Sequence, residues 1–259
     1  MTNSESWYGL KNEEIEQLEQ VDEMFLRKLL EVGRGCPKEM LYLETGSLPI
    51  RFIIMSRRLM FLQYLLKEEN ESLVHKFLQE QIRSPVKNDW ILTVQENMEE
   101  LQIGLDFENI TTLSKDSFKA FLEKKIDIKA LEYLNSLKSK HSKVLHIVHK
   151  NLKLQEYCQA SNIEDVCLAK FIFHARTRML NVKANYKNRY LKTDINCPMG
   201  CPILDSQEHV LFCTKIESCC LIMEKNEPKY QDLFSENSSK QKTIAKLLRG
   251  RLEKRNNSI

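Results

Sequence analysis

Residues 196–216 read NCPMGCPILDSQEHVLFCTKI, and this stretch contains four side chains of the kinds that bind transition metals. Cys197 and Cys201 are separated by three residues, as are His209 and Cys213. One helical turn over HVLFC would place His209 and Cys213 on the same face, because residues i and i+4 are neighbours on a helix. Three thiolates and one imidazole form a closed tetrahedral ligand set. The stretch therefore predicts one structural Zn²⁺ bound by Cys197, Cys201, His209 and Cys213.

Alternatives to this ligand set remain open. The cysteines can instead be free thiols buried in a core, or Cys219 or Cys220 can replace one of the four ligands. Four protein ligands leave no position for water, so catalysis by the metal is not expected. The His-x-Glu and Cys-x-x-Cys signature of the zinc deaminases is also absent from the sequence.

A basic segment precedes the cysteines. Phe171–Thr193, FIFHARTRMLNVKANYKNRYLKT, contains six Lys and Arg and no acidic residue. Lys and Arg supply phosphate contacts, and tyrosines can stack on bases or sugars. We therefore predict nucleic-acid contact by eight residues: Arg176, Arg178, Lys183, Tyr186, Lys187, Arg189, Tyr190 and Lys192. The alternative is a solvated basic surface, with Tyr186 and Tyr190 packed in the core one helical turn apart.

The charge of the chain is divided unevenly. Residues 1–133 contain 17 Lys and Arg against 24 Asp and Glu, whereas residues 134–259 contain 22 against 12. This asymmetry favours a polyanionic partner for the second half. Three histidines of that half, His141, His146 and His149, have no cysteine or carboxylate beside them, so we do not predict that they bind metal.

The composition favours helices and an intracellular location. The chain of 259 residues contains only 7 Gly and 6 Pro, which argues against a sheet-rich fold or a glycine-loop nucleotide site. No apolar run approaches 18 residues, so no membrane-spanning helix is expected. Eight cysteines without a secretory signal indicate a reducing compartment, either nucleus or cytoplasm.

Four stretches, in this order, resemble a known family. They are SWYGLKNEEIEQLEQVDEMFLRKLL, PKEMLYLETGSLPIRFIIMSRRLMFLQYLL, ARTRMLNVKANYKNRY and CPMGC…DSQEHVLFC. Together they resemble the region downstream of the catalytic palm in reverse transcriptases of non-LTR retrotransposons, over residues 5–216. The resemblance implies a helical thumb with its extension, followed by a Cys-Cys-His-Cys zinc knuckle. In that family the first two cysteines are often separated by two residues, so the turn differs here.

The resemblance also implies roles for particular arginines. Arg176 and Arg178 match the basic Arg-x-Arg ahead of the knuckle. The thumb-like region implies that Arg51, Arg57 and Arg58 face a template–primer duplex, with Arg51 and Arg58 on one exposed helix face.

The expected fold is mainly α: a helical thumb-like bundle followed by a basic helical segment and a small zinc knuckle. The expected boundaries are 1–82 for the thumb-like region, 83–170 for a helical connector, 171–218 for the basic segment with the zinc knuckle, and 219–259 for a basic C-terminal tail. The tail is expected to be either a basic helix or a disordered arm.

The expected function is non-catalytic binding of RNA or DNA, with a separate palm-bearing reverse transcriptase as a further partner. The chain contains no Asp-Asp pair, which the parent polymerases use to hold two metals, and no palm precedes Trp7. Asp205 with Glu227 and Lys229 only weakly matches a nuclease site, since Pro228 would interrupt the required strand. The alternative function is a zinc-stapled helical protein-interaction module without nucleic-acid binding.

Overall fold

The computed structural model describes residues 4–7, 10–69, 71–87, 89–138, 151–159, 162–189, 195–216 and 229–257. For Lys138 and residues 187–189 this description covers the backbone only. Several residues named above lie outside the described residues: His141, His146, His149, Tyr190, Lys192, Cys219, Cys220, Glu227 and Pro228. The side chains of Lys187 and Arg189 are also outside the description.

The described residues are mainly helical and include no strand, which confirms the predicted fold class at that level. The α-helices are α1 (Asn12–Leu30), α2 (Lys38–Thr45), α3 (Ile50–Leu66), α4 (Leu73–Arg83), α5 (Trp90–Glu100), α6 (Phe107–Thr112), α7 (Lys115–Lys138), α8 (Ile163–Arg176), α9 (Gln207–Phe212) and α10 (Ser238–Asn257). Short 3-10 helices cover Ser4–Ser6, Glu156–Cys158, Lys183–Arg189 and Tyr230–Phe234. None of these helices is both long and apolar enough to cross a membrane.

The chain forms two compact units, and neither is continuous in sequence. Within the described residues, unit 1 is drawn from Met1–Phe25, Ser47–Leu137 and 151–152, and unit 2 from Leu26–Gly46 and Lys153–Ile259. The metal-ligand stretch and the described part of the basic segment both lie in unit 2.

Unit 1 is built around α3. This helix is apolar on several sides, and Phe52, Leu59 and Leu62 are fully buried against α5, α6 and α7. The helix begins directly after Pro49, whose fixed φ suits a helix start. A helix with so little polar surface requires neighbours on more than one side, which makes α3 the centre of the unit.

The long helix α7 shows how spacing produces burial in unit 1. Its interior side chains recur every four residues: Phe118, Leu122, Ile126, Ala130 and Leu134. The start of the helix is fixed by the Ser114 hydroxyl, which accepts a hydrogen bond from the backbone N–H of Ser117 at 3.1 Å.

The arginines of α3 differ from the expected duplex-facing surface. Arg58 is only 3% exposed, and its guanidinium donates to the Trp7 carbonyl at 2.7 and 3.0 Å. Arg51 donates to the Glu19 carboxylate at 2.6 Å and stacks over the Tyr133 ring. The expectation that Arg51 and Arg58 share an exposed face was therefore wrong, because distant acceptors draw both into the fold of unit 1. Arg57 does lie on the exposed side and donates to the Ser4 hydroxyl at 3.2 Å.

Unit 2 is held together by a buried ion pair. Arg176, at the end of α8, lies 3.0 Å from a carboxylate oxygen of Glu44 in α2, and both side chains are almost fully enclosed. Tyr157 donates its hydroxyl to the same carboxylate at 2.6 Å. Arg176 also donates to the Leu233 carbonyl at 2.6 Å. Four segments of unit 2 therefore converge on one guanidinium.

Gly46 ends α2 where two chain segments of unit 2 nearly touch. Its φ is +66°, in the left-handed region that favours glycine. A Cβ at this position would lie 2.2 Å from the Leu154 backbone nitrogen. This close approach lets the Gln155 N–H donate to the Glu44 carbonyl at 3.2 Å.

Candidate metal centre

The first two cysteines are presented by a short backbone hairpin. Cys197 donates its N–H to the Ile203 carbonyl at 2.8 Å, next to the isolated bridge between Asn196 and Leu204. Gly200 closes the turn with a φ of +78°, and its N–H donates to the Cys197 carbonyl at 3.0 Å. The Pro-Met-Gly spacer therefore folds back as a tight turn, which directs both thiols to one side.

The other two ligands come from α9. The Ser206 hydroxyl caps the helix by accepting the His209 N–H at 3.1 Å. Cys213 directly follows the helix, four residues after His209. The predicted turn over HVLFC is present, and it brings the imidazole and the thiol to the same face.

The four ligand atoms are close enough to bind one metal ion. All lie within 4.8 Å of one another. The Cys213 sulfur is 3.7 Å from that of Cys201 and 4.0 Å from that of Cys197. A tetrahedral zinc with Zn–S bonds of about 2.3 Å requires sulfurs about 3.8 Å apart. The observed separations are therefore compatible with zinc.

The chemistry of the donors agrees with a metal. Cys197, Cys201 and Cys213 are buried, at 5%, 7% and 0% exposure. The Nε2 atom of His209 is also buried, and no described residue gives it a hydrogen bond. Buried polar atoms normally have a partner, so an orphaned imidazole nitrogen beside three thiols fits a metal ligand.

The thiols influence one another's protonation. Burial, together with the adjacent Cys213 and Cys197, raises the pKa of Cys201 to about 11. For Cys213, burial acts to raise the pKa, but hydrogen bonds from the Lys215 and Ile216 backbone amides and from the other thiols outweigh it, so the pKa is lowered. Three thiolates this close would repel one another, and a bound divalent cation would remove that repulsion.

Asp205 connects the metal segment to α10. It is 1% exposed and accepts Arg255 at 2.7 Å. One turn earlier in α10, Arg251 donates to the Val210 carbonyl at 2.9 Å and also to the carbonyl of Cys213. Two arginines of α10 therefore bind the backbone and the carboxylate that surround the ligands.

The basic segment is hydrogen-bonded to the residues at the start of α9. The N–H of Lys183 donates to the Asp205 carboxylate at 2.8 Å, and the N–H of Ala184 donates to the Asp205 carbonyl at 2.9 Å. The Asn185 amide donates to the Gln207 side chain at 2.9 Å. The start of the 3-10 helix at 183–189 is thereby fixed by the two residues that flank Ser206.

Arg176 requires a correction among the predicted nucleic-acid contacts. It is 3% exposed and bound by Glu44 and the Leu233 carbonyl, and the Tyr157 and Phe234 rings lie 5.6 and 5.3 Å from its guanidinium. A guanidinium enclosed in this way has no surface to offer a phosphate. The Arg-x-Arg pattern therefore contains one interior residue and one residue nearer the surface.

The other described members of the set lie nearer the surface but make contacts of their own. Arg178 is 2.5 Å from the Glu208 carboxylate and stacks over Tyr230 at 4.8 Å. The Tyr186 hydroxyl donates to the Met179 carbonyl at 2.9 Å, and Tyr186 and Lys183 are half-buried. Nucleic-acid contact by Arg178, Lys183 and Tyr186 stays a prediction. The same holds for four residues whose side chains lie outside the described residues: Lys187, Arg189, Tyr190 and Lys192.

Sequence reasoning missed three residues that build the centre. Ser206 had a local signal, since a serine followed by a Gln-Glu pair and an apolar run is typical of a helix start. Asp205 was considered only as a weak nuclease match, whereas the structure gives it a structural role. Arg251 had no local signal, because its acceptors lie about forty residues earlier in the chain.

Comparisons of the chain with protein-family models, with curated proteins and with solved structures found no match. The fold and the cluster by themselves define a mainly helical protein with a Cys₃His group able to bind a metal ion.

Proposed function

We propose that this chain is a zinc-stabilised, non-catalytic nucleic-acid-binding protein, corresponding to the thumb-like and knuckle region of a non-LTR retrotransposon reverse transcriptase. Cys197, Cys201, His209 and Cys213 would hold one structural Zn²⁺. Unit 2 would bind RNA or DNA through its cationic surface. The ion would supply a cross-link between the hairpin and α9.

One observation carries the proposal: the basic segment is hydrogen-bonded to the metal-binding segment. Lys183, Ala184 and Asn185 are bound to Asp205 and Gln207, which immediately precede and begin α9. A metal that fixes α9 would therefore also fix the backbone from which the basic side chains project. The net positive charge of residues 134–259 supports a polyanionic partner for this surface.

The test combines metal content with oligonucleotide binding on the same samples. Wild type is compared with Cys197→Ser and His209→Ala, and Cys167→Ser, an exposed thiol of α8 outside the cluster, serves as control. Fluorescence anisotropy with single-stranded RNA and DNA is measured over a range of salt concentrations. We expect one zinc per chain in wild type and control, loss of zinc in both ligand variants, and weaker binding only where zinc is lost.

Each outcome discriminates between hypotheses. Binding to a single strand should fall with salt with a log–log slope of about −0.7 per phosphate contact. Zinc without any oligonucleotide binding at low salt would overturn the nucleic-acid proposal. Binding that persists unchanged in Cys197→Ser would overturn the role of the metal.

The non-catalytic assignment has its own test. It is based on the lack of an Asp-Asp pair anywhere in the sequence. A primer-extension assay with the purified chain and magnesium is expected to show no nucleotide incorporation, and incorporation that depends on this chain would overturn the assignment.

A protein-interaction module is the second candidate function, and an apolar surface of unit 1 favours it. Leu73, Val74 and Phe77 of α4 are 82%, 51% and 65% exposed. Val74 and Phe77 line a groove of about 470 Å³ together with Phe61 and Trp90. Exposed apolar side chains grouped in this way are typical of binding surfaces. If oligonucleotides do not bind, this groove becomes the principal site to examine.

A further inference from the structure

Helix α10 has two distinct faces. One is buried in unit 2 and contains Gln241, Ile244, Ala245, Leu248, Leu252 and Arg255. The recurrence at three and four residues is that of an amphipathic helix. Lys246 and Arg249, three residues apart, lie together on an exposed side of the helix.

The exposed face has an excess of positive charge. Between residues 238 and 257, α10 contains seven Lys and Arg and a single acidic residue, Glu253. Two of the seven, Arg251 and Arg255, are used inside unit 2. Lys242 is paired with Asp165 at 3.4 Å, and Arg249 is paired with the exposed Glu253 at 3.0 Å. No described residue forms an ion pair with Lys246.

The buried face fixes the helix to the metal centre. Arg251 binds the carbonyl of the metal-ligand candidate Cys213, and Arg255 binds Asp205, which also holds the basic segment. A flexible cationic tail would lose conformational freedom on binding, whereas this helix presents its charges already ordered.

We propose that the exposed face of α10 centred on Lys246 and Arg249 is a binding site for the phosphate backbone of single-stranded nucleic acid. Lys246 and Arg249 are three residues apart and lie about 4.5 Å apart along the helix axis, at a rise of about 1.5 Å per residue. They can therefore contact neighbouring phosphates of one strand, which gives two phosphate contacts. The site rests on the proposed function, and it places a main contact surface outside the basic segment at 171–193.

The experiment uses the full zinc-loaded chain and the double variant Lys246→Gln with Arg249→Gln. The control is Lys119→Gln with Lys124→Gln on α7 of unit 1. This pair is also exposed on a helix, and Lys119 is paired with Glu123 four residues later, as Arg249 is with Glu253. Both double variants remove two positive charges, and Gln and Lys have similar helix propensities, so folding is expected to be retained.

Each lost phosphate contact removes about 0.7 from the log–log salt slope, so the α10 variant should lower the slope by about 1.4. For equal binding of the two proteins at 1 M salt, this slope change makes the variant bind about 25-fold more weakly than wild type at 0.1 M. The control should change affinity by less than about twofold, since exposed charges that make no phosphate contact are largely screened by salt. Single-stranded RNA and DNA of one sequence are both used as probes, and zinc content confirms that each variant is folded around its metal.

Two results would overturn the inference, and they are distinguishable. If wild type binds and both double variants bind equally well, the α10 site is wrong but the proposed function stands. If wild type does not bind either oligonucleotide, the proposed function and the α10 site fail together.

Discussion

At the scale of single residues, Arg176 shows why a cation inside a protein needs several partners. Its guanidinium is bound by the Glu44 carboxylate and the Leu233 carbonyl and lies near two aromatic rings. Removing one partner of a buried ion pair leaves the other charge without compensation, which typically costs about 3–5 kcal/mol. Arg176 therefore acts on stability, whatever unit 2 binds.

We predict that Glu44→Gln and Arg176→Gln both lower the free energy of unfolding by about 3–5 kcal/mol, measured by urea denaturation. Glu31→Gln is the matched control, because its pair with Lys170 is largely exposed and should contribute little. A variant Arg176→Gln of unchanged stability and weakened oligonucleotide binding would contradict this assignment and restore Arg176 as a phosphate contact.

Gly46 provides a second prediction at the residue scale. Gly46→Ala would place a methyl group 2.2 Å from the Leu154 nitrogen, on a backbone whose φ is already positive. The left-handed backbone alone costs about 1–2 kcal/mol, and the close contact with Leu154 adds to this cost. We therefore expect the free energy of unfolding to fall by more than about 2 kcal/mol.

Gly250→Ala is the control for Gly46→Ala. Gly250 lies inside α10, and an added Cβ would meet nothing within 4 Å. Alanine is favoured over glycine within a helix, so we expect an increase in stability of about 0.5–1 kcal/mol. Equal effects of the two substitutions in thermal denaturation would contradict the close approach at Gly46.

At the scale of elements, α9 is too short to be stable without help. A helix of six residues forms few internal hydrogen bonds, so its cap and its tertiary contacts decide whether it forms. Ser206 supplies the cap and Arg251 binds the carbonyls at the other end. The geometry of His209 and Cys213 therefore depends on groups that do not themselves bind the metal.

We predict that Ser206→Ala removes about 1 kcal/mol of helix capping and also weakens zinc binding, measured by competition with a chromogenic chelator. Ser72→Ala is a close control, because Ser72 caps α4 by accepting the His75 N–H at the same 3.1 Å. Its removal should cost similar stability in unit 1 and leave zinc affinity unchanged. Equal zinc affinity in both variants would show that the cap does not position His209.

The elements also show what local sequence could predict. The turn at Gly200 and the helical turn from His209 to Cys213 were predictable because their spacing is local, within five residues. The orientation of α3 was not, since nearly all of its faces are apolar and periodicity cannot single out a buried side. The acceptors of Arg51 and Arg58 lie 32 and 51 residues earlier, beyond any local pattern.

At the scale of the whole molecule, the two units are interleaved in sequence. The expected boundaries divided the chain into consecutive regions, whereas residues 26–46 belong to unit 2 and the segments on either side belong to unit 1. The charge difference between the two halves of the chain gives no sign that residues 26–46 belong to unit 2. Only long-range contacts such as that of Glu44 with Arg176 define this membership, and these are invisible without coordinates.

We predict that removal of zinc affects unit 2 selectively. Metal binding contributes folding free energy to the unit that contains the ligands. Hydrogen exchange after chelation should show loss of protection in residues 195–216 and in α10, while α3, α5 and α7 of unit 1 retain theirs. A uniform loss of protection in both units would contradict this, and no loss in either would mean that the cluster does not bind zinc.

The interleaving has a consequence for the time course of biosynthesis. Glu44 leaves the ribosome 132 residues before Arg176, which at about 5–20 residues per second is an interval of about 7–26 s. For most of that interval the part of unit 2 from Lys153 onward has not been synthesised, although Met40, Leu41 and Leu43 are fully enclosed in the finished protein. The nascent chain therefore exposes the apolar side chains of α2 early. We expect chaperones to bind this segment until the rest of unit 2 has been synthesised.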